Sequence, residues 1–514
     1  PNFSEAYCRK AACYQEMKKE EEAILEYRHA IEINDPHSKP ILFQASLFVA
    51  TYYRNKKKLN EALPFIIKCA EYDESSELAQ FNAGIALMKK NRYEEAIEYF
   101  SKSLKINRTN IDAMFNKAIC LTNLEKYEEA ILIFSMLIQM NKKDFESHLY
   151  KGICLKKLGK YEDAINSLTK LISLNDKCFP AYLHRGICYA NFRIFGKAIN
   201  DFIKYNKHME EEKQEITDED FYYFRSLCYI NSNNIEDAIN DLNKVLKLNP
   251  NKSLAHFKLG FCYMIRKFKE NVNENLEKSI QEFDEAIKLD KKYSEAYYNK
   301  ALALSCLNKN KEAIEVLNKG KNPFSKNLDK IYFNLAKCQL KLKKINDAID
   351  NILSSIQHNK NNEEALYTLA KCYLDTKQYE KGLDIITKAI ILNPKNFEFL
   401  YLKAKILIEL EKYQEALNIL DRVIKINKKY SSAYFRKGIC YEKLENYEDA
   451  VNMYKKCKNL VPNDEQLSIS IGMCLIKLNQ NEEALKEFAD ALKINPKNKF
   501  AIHYQNKLKK SINN

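Results

Sequence analysis

The chain has 514 residues, with 83 Lys plus Arg against 69 Asp plus Glu and a formal charge of +14. Ten Gly and ten Pro are few for this length, which excludes long loop-rich or all-β stretches, and no run of 18 apolar residues offers a membrane span. The basic excess is diffuse, so it favours acidic protein surfaces as partners over a nucleic-acid face.

The sequence opens on Pro1, a start that points to an upstream segment. From there one unit recurs, clearest at Lys151–Asp176 (KGICLKKLGKYEDAINSLTKLISLND). Ile153, Leu155 and Leu158 mark the inward side of a first helix, and Gly152 leaves room for a neighbouring backbone. Gly159 and Lys160 make a tight turn, with Gly suited to a left-handed helix end. Tyr161 covers the turn, and Glu162 and Asp163 complement the positive end of a second helix. That helix carries its apolar stripe on Ile165, Leu168, Leu171 and Ile172.

Residues equivalent to Ala164 fall at Ala23, Ala62, Ala96, Ala130, Ala164, Ala198, Ala238, Ser279, Ala313, Ala348, Gly382, Ala416, Ala450 and Ala484, and nine of the thirteen intervals are 34 residues. Three longer intervals mark inserts, expected as loops: Asp35–Gln44, the acidic Asn206–Asp220, and Arg266–Ser279 with seven extra residues. The predicted organisation is six copies over 4–212, an acidic insert at 213–218, and eight copies over 219–498 with extra residues at 266–278. A capping helix with a polar outer face is expected at 499–512.

The fifteen Cys follow the same period. Ten of them (Cys13, Cys120, Cys154, Cys188, Cys228, Cys262, Cys338, Cys372, Cys440 and Cys474) stand two residues after the small residue equivalent to Gly152, and no CxxC pair occurs. They read as packed thiols of a reducing, cytoplasmic compartment, not as disulfides or metal ligands.

A period of 34 with recurring small, aromatic and small slots resembles the tetratricopeptide repeat, here in about fourteen copies. Tyr often stands where the family has an early Trp (Tyr7, Tyr182, Tyr297, Tyr332, Tyr434), and the closing Pro survives at Pro250, Pro394, Pro462 and Pro496. The resemblance implies an all-α, right-handed superhelical solenoid of stacked antiparallel helix pairs, with first helices lining its inner face. It also implies that partners are held three residues before and one after the Gly152 slot. In copies three and four these positions are Phe81/Ile85 and Phe115/Ile119, and the apolar series runs on to Tyr298/Leu302. In copies ten to twelve they become Phe333/Lys337, Tyr367/Lys371 and Tyr401/Lys405, a ladder of rings and lysines suited to an acidic segment. Asn82, Asn116, Asn299 and Asn334 resemble the asparagine ladder of the O-GlcNAc transferase repeats.

No catalytic constellation is legible. The run from Gly152 to Lys160 misses the spacing of a phosphate loop, His148, His184 and His256 have no evident carboxylate partner, and acid pairs such as Glu94 and Glu95 sit at helix starts. The expectation is a non-enzymatic scaffold without cofactor, metal or small-molecule substrate, holding an extended or helical, acidic segment of a protein partner. A large assembly is expected, ciliary or microtubule-associated on grounds of charge and composition. The alternatives are a regulatory arm of an enzyme cut at Pro1 and an RNA-associated array, the latter disfavoured because Lys outnumbers Arg.

Overall fold

A computed structural model describes residues 3–266, 271–322, 325 and 327–512, with side chains to residue 509. Among the described residues there are 29 α-helices, one 3-10 turn and no strand. The chain divides into two compact units, Pro1–Ala255 and His256–Asn514. Each is a row of antiparallel helix pairs, one pair per copy. Within a unit most neighbouring first helices, such as those of copies three to seven, pack on each other, whereas neighbouring second helices approach less closely. The row of first helices therefore forms the inner side of each unit.

Copy five shows why these residues build a pair. Its helices run Phe145–Lys157 and Tyr161–Leu174. Asp144 caps the first by accepting from the Ser147 backbone N–H, and Glu162 and Asp163 occupy the first turn of the second. Gly159 takes φ +74° in the turn between them. At the same turn in other copies the left-handed residue is not Gly: Asn91, Glu125, Arg193, Lys343, Lys377, Glu411, Glu445 and Asn479 all have φ between +58° and +61°. Such a conformation costs an L-residue about 1–2 kcal/mol, so packing of the two helices holds these turns closed.

The packing is a knob in a socket. The knob is the second-helix residue four beyond the Ala164 slot, and the socket is the small first-helix residue. A Cβ on Gly152 would fall 2.7 Å from Cγ and Cδ2 of Leu168, so the group that needs the space is a side chain, not the backbone expected. Gly84 faces Phe100, Gly186 faces Phe202, Gly260 faces Phe283 and Gly472 faces Phe488 in the same way. Phe100, Phe134, Leu168, Phe202, Phe283 and Phe488 are all fully buried. Where the knob is tyrosine its hydroxyl reaches back to the first helix: Tyr454 donates to Glu442 at 2.9 Å and Tyr27 to Gln15 at 3.2 Å.

The inserts depart from the loops expected of them, because much of each is helix. Residues 39–44 extend the first helix of copy two, Lys39–Asn55. Residues 206–211 continue the second helix of copy six, Phe195–Glu211, leaving Glu212–Asp218 as the connection. The second helix of copy eight, Val272–Leu289, has 18 residues where most second helices have 14; residues 267–270 of that insert lie outside the described residues. Straight-chain Lys, Glu and Gln favour helix, and a helix end absorbs extra residues without exposing backbone.

The thiol slot is buried wherever a preceding first helix covers it, as Cys154 is covered by Thr122 at 3.3 Å. Cys13 breaks the expectation: it is exposed, and Cys8 is buried instead. The last helix, Lys499–Ile512, docks through Ala501, Leu508 and Tyr504, whose ring stacks on Phe488 at 5.7 Å. Its outer side is less polar than expected, since Phe500 and Ile502 remain exposed.

Candidate functional site

The first-helix face carries the residues singled out from the sequence. In the first unit Phe81, Ile85, Phe115 and Ile119 are half-buried. The Phe81 ring rests 5.8 Å from Phe100, and Phe115 lies 5.8 Å from Phe134 and 5.7 Å from Tyr150, so each ring leans on a knob and shows only part of its surface. Further along this unit Leu183, Ile187 and Tyr223 are buried, which interrupts the apolar wall that the spacing suggests.

In the second unit the lysine ladder is uneven. Tyr298 is half-buried, and its phenol is pushed up in pKa mainly by burial. Phe333, expected as an exposed rung, is 5% exposed and belongs to the core of copies ten and eleven. Lys337 sits over that ring at 4.5 Å, but its Nζ is also 2.6 Å from Oε1 of Glu364, one copy on. The residue matching Glu364 beside Lys371 is Glu398, and beside Lys405 it is Ser432. Among the described residues neither Lys371 nor Lys405 forms an ion pair or stacks on a ring; Tyr367 instead stacks on Phe399 at 5.5 Å and Tyr401 meets Tyr430 edge-on at 5.0 Å. The rings thus make an aromatic shelf, and the charge available to a partner rests on Lys371 and Lys405. Three of the four asparagines, Asn116, Asn299 and Asn334, donate their side-chain amides to carbonyls of their own helices at 2.8–2.9 Å.

Several ionic contacts were not legible from local spacing. Arg185 grips Asp201 with two bonds of 2.8 Å, and Arg225 grips Asp241 with two of 2.7 Å, both pairs largely buried between the helices of one copy. Aromatic rings wall each guanidinium, Tyr182 and Tyr189 for Arg185 and Phe221, Tyr222 and Tyr229 for Arg225. His256 does have a carboxylate partner, Glu282 at 2.7 Å, on the second helix of its own copy. His184 faces Lys156 at 3.2 Å; burial, with Lys156 and Lys157 nearby, lowers its pKa to about 3, so the ring is neutral and accepts from the ammonium. Burial also lowers His148 and Lys156.

Burial raises Cys120, Cys188 and Cys228 to about 12, which leaves those thiols protonated and unreactive. Among the described residues no group of three His, Cys, Asp or Glu is placed to hold a metal ion, and no helix is long and apolar enough to cross a membrane.

Comparison with known proteins adds sequence-level support for the repeat. Tetratricopeptide repeat profiles match residues 4–37, 78–110, 99–131, 146–178, 219–252, 282–315, 407–468 and 466–498. The profile of the anaphase-promoting complex, cyclosome, subunit 3 matches residues 352–423. No curated protein matches the sequence. Among solved structures, MamA from Desulfovibrio magneticus RS-1 is 21% identical, with 33% of this chain and 97% of that one covered at a TM-score of 0.32. Yeast Tom70 is 16% identical over 86% of this chain and 97% of that one, with a TM-score of 0.32. The anaphase-promoting complex hetero-tetramer Cut9–Hcn1 is 13% identical over 98% and 95%, with a TM-score of 0.34. With repeat profiles placed between residues 4 and 498 and a knob and socket in copy after copy, the chain belongs to the tetratricopeptide repeat family.

Proposed function

We propose that the chain is a non-enzymatic scaffold that holds a segment of a protein partner along its first-helix face, as one member of a larger assembly. The observation that carries this reading is the aromatic shelf of Tyr367 and Tyr401 beside two lysines, Lys371 and Lys405, that form no ion pair among the described residues. Folded proteins normally pair or solvate such cations one by one; a row repeated at the copy spacing suits an extended acidic segment. Fourteen copies also offer many separate contact points, which favours avidity within an assembly. A ciliary or microtubule setting would bring acidic tails to a chain of charge +14, and rests on that charge and on the Tyr-, Lys- and Asn-rich composition.

The test compares partners retained by the wild type and by Lys371→Glu/Lys405→Glu, by affinity purification from source cells and mass spectrometry, at low and at physiological salt. Specific partners should be lost from the variant, and the difference from wild type should be largest at low salt, where the charge reversal is least screened. Lys337→Glu, whose lysine is already paired with Glu364, should lose less. An unchanged partner set in the double variant would reject the reading.

A further inference from the structure

The first unit contains a cavity of about 210 Å³ between the first helices of copies two and three, Lys39–Asn55 and Glu77–Met88, floored by the second helix of copy two, Leu59–Tyr72. Its wall is mainly apolar, with Phe43, Leu47, Ile66, Leu78 and Ile85 among the lining residues. The first helices of copies one and two, and of copies three to seven, pack on each other, whereas those of copies two and three approach less closely.

The gap follows from side-chain volume. The slot three before the small residue holds Leu47 where copies three and four hold Phe81 and Phe115. The slot one after it holds Thr51 where copies three to six hold Ile85, Ile119, Ile153 and Ile187. The slot two after it holds Ala86 in copy three, where most copies hold Cys. Three adjacent positions are therefore smaller than the repeat usually supplies, on facing helices.

The charge is one-sided. Arg54 and Lys89, near the C-terminal ends of the two helices, line the cavity and are exposed. No carboxylate lines it, and neither cation forms an ion pair among the described residues. An apolar pocket beside two unneutralised cations selects an apolar group that carries a carboxylate near it. At about 30 Å³ per water-sized group, the cavity takes about seven such groups, the size of one large side chain.

We infer that this cavity is an anchor site for an acidic peptide, which seats one large aliphatic or aromatic side chain between copies two and three and sets a neighbouring carboxylate against Arg54 and Lys89. The inference rests on the reading that the first-helix face holds a partner segment, and it names a residue-sized anchor in the first unit, whereas Lys371 and Lys405 belong to the second.

The probe is a fluorescein-labelled peptide, Ser-Asp-Asp-Leu-Asp-Asp-Ser, titrated into the full chain by fluorescence polarisation. The matched peptide with Ser in place of Leu should bind at least about tenfold more weakly, a difference of about 1.4 kcal/mol. Leu47→Phe/Thr51→Ile, which gives copy two the residue pair that copy three already uses, should weaken the Leu peptide by a similar factor while leaving the helical circular dichroism unchanged. Arg54→Glu/Lys89→Glu, at two exposed positions, should abolish binding and serves as the folded variant should the filling variant not fold. Equal binding of the Leu and Ser peptides, no binding of either, or wild-type affinity in both variants would overturn the inference. Octanoate binding without peptide binding would overturn it in favour of a free fatty carboxylate. Because Lys371→Glu/Lys405→Glu leaves this cavity untouched, failure here and failure of the scaffold reading are separately visible.

Discussion

Gly84→Ala probes the knob and socket directly. The added Cβ would lie 2.7, 2.8 and 2.9 Å from Cε1, Cδ1 and Cζ of Phe100. Carbon atoms prefer about 3.5–4.0 Å, so a rigid, fully buried ring must retreat by about 1 Å. Overpacking of this kind costs about 1–3 kcal/mol. Replacing a mid-helix Gly by Ala returns up to about 1 kcal/mol through backbone entropy, so the net expectation is a loss of up to about 2 kcal/mol. Copy four already holds Ala118 beside the buried Phe134, so the ring can settle around a Cβ and the loss falls toward the low end, while copy nine holds Ala301 beside the smaller Leu317. Gly84→Ala/Phe100→Leu should therefore be more stable than the sum of its single variants by about 0.5–3 kcal/mol. Because stability in stacked repeats is local, the assay is hydrogen exchange by mass spectrometry on peptides from Glu77–Met88 and Tyr93–Ile106, backed by thermal melts. Strict additivity of the two substitutions, or increased protection in Gly84→Ala alone, would refute the socket argument.

Two further outcomes follow from the turns and from His184. Glu411→Gly and Glu445→Gly, both at φ +59°, should each stabilise by about 0.5–1 kcal/mol, since relief of the left-handed cost exceeds the entropy lost by Gly; a lower thermal midpoint would contradict this. His184 has a folded pKa of about 3 against an ordinary 6.5, so the unfolded chain binds its proton first and stability falls as pH drops from about 6.5 towards 3. The slope attributable to it is at most about 1.4 kcal/mol per pH unit, and His148, also lowered by burial, adds in the same direction. Urea melts at pH 7 and pH 5 should show a smaller difference for His184→Gln than for the wild type, and an equal difference would count against this assignment.

The repeat was legible because packing writes itself into residue size: Gly152 and Ala164 are small wherever the stack needs them, and the period followed from those positions alone. Helix identity was legible even where loops were expected, had the Lys- and Glu-rich inserts been weighed by propensity, as the extension of Phe195–Glu211 shows. The left-handed turns were marked by residue type only at Gly159; elsewhere Lys, Glu, Asn and Arg give no sign of a conformation that tertiary packing imposes. Helical spacing alone makes Phe333 and Lys337 an exposed pair, because it says which side a residue faces, not how closely the next copy covers it. Arg185 and Asp201, or His256 and Glu282, are 16 and 26 residues apart and meet only through the antiparallel pairing. The cavity between copies two and three is an absence of volume, visible in the sequence only once Leu47, Thr51 and Ala86 are set against the same slots in other copies.

The thiol slot has a practical consequence. Most of the fifteen Cys are sealed in the stack, while Cys13 in the first unit and Cys306 in the second are exposed. A maleimide dye or spin label therefore meets one exposed sulfur in each unit, with half-buried Cys178 the next most accessible and the buried thiols nearly silent. Cys13 and Cys306 are therefore a pair of attachment points in this sequence, one in each unit, for following partner capture without first stripping out the buried cysteines.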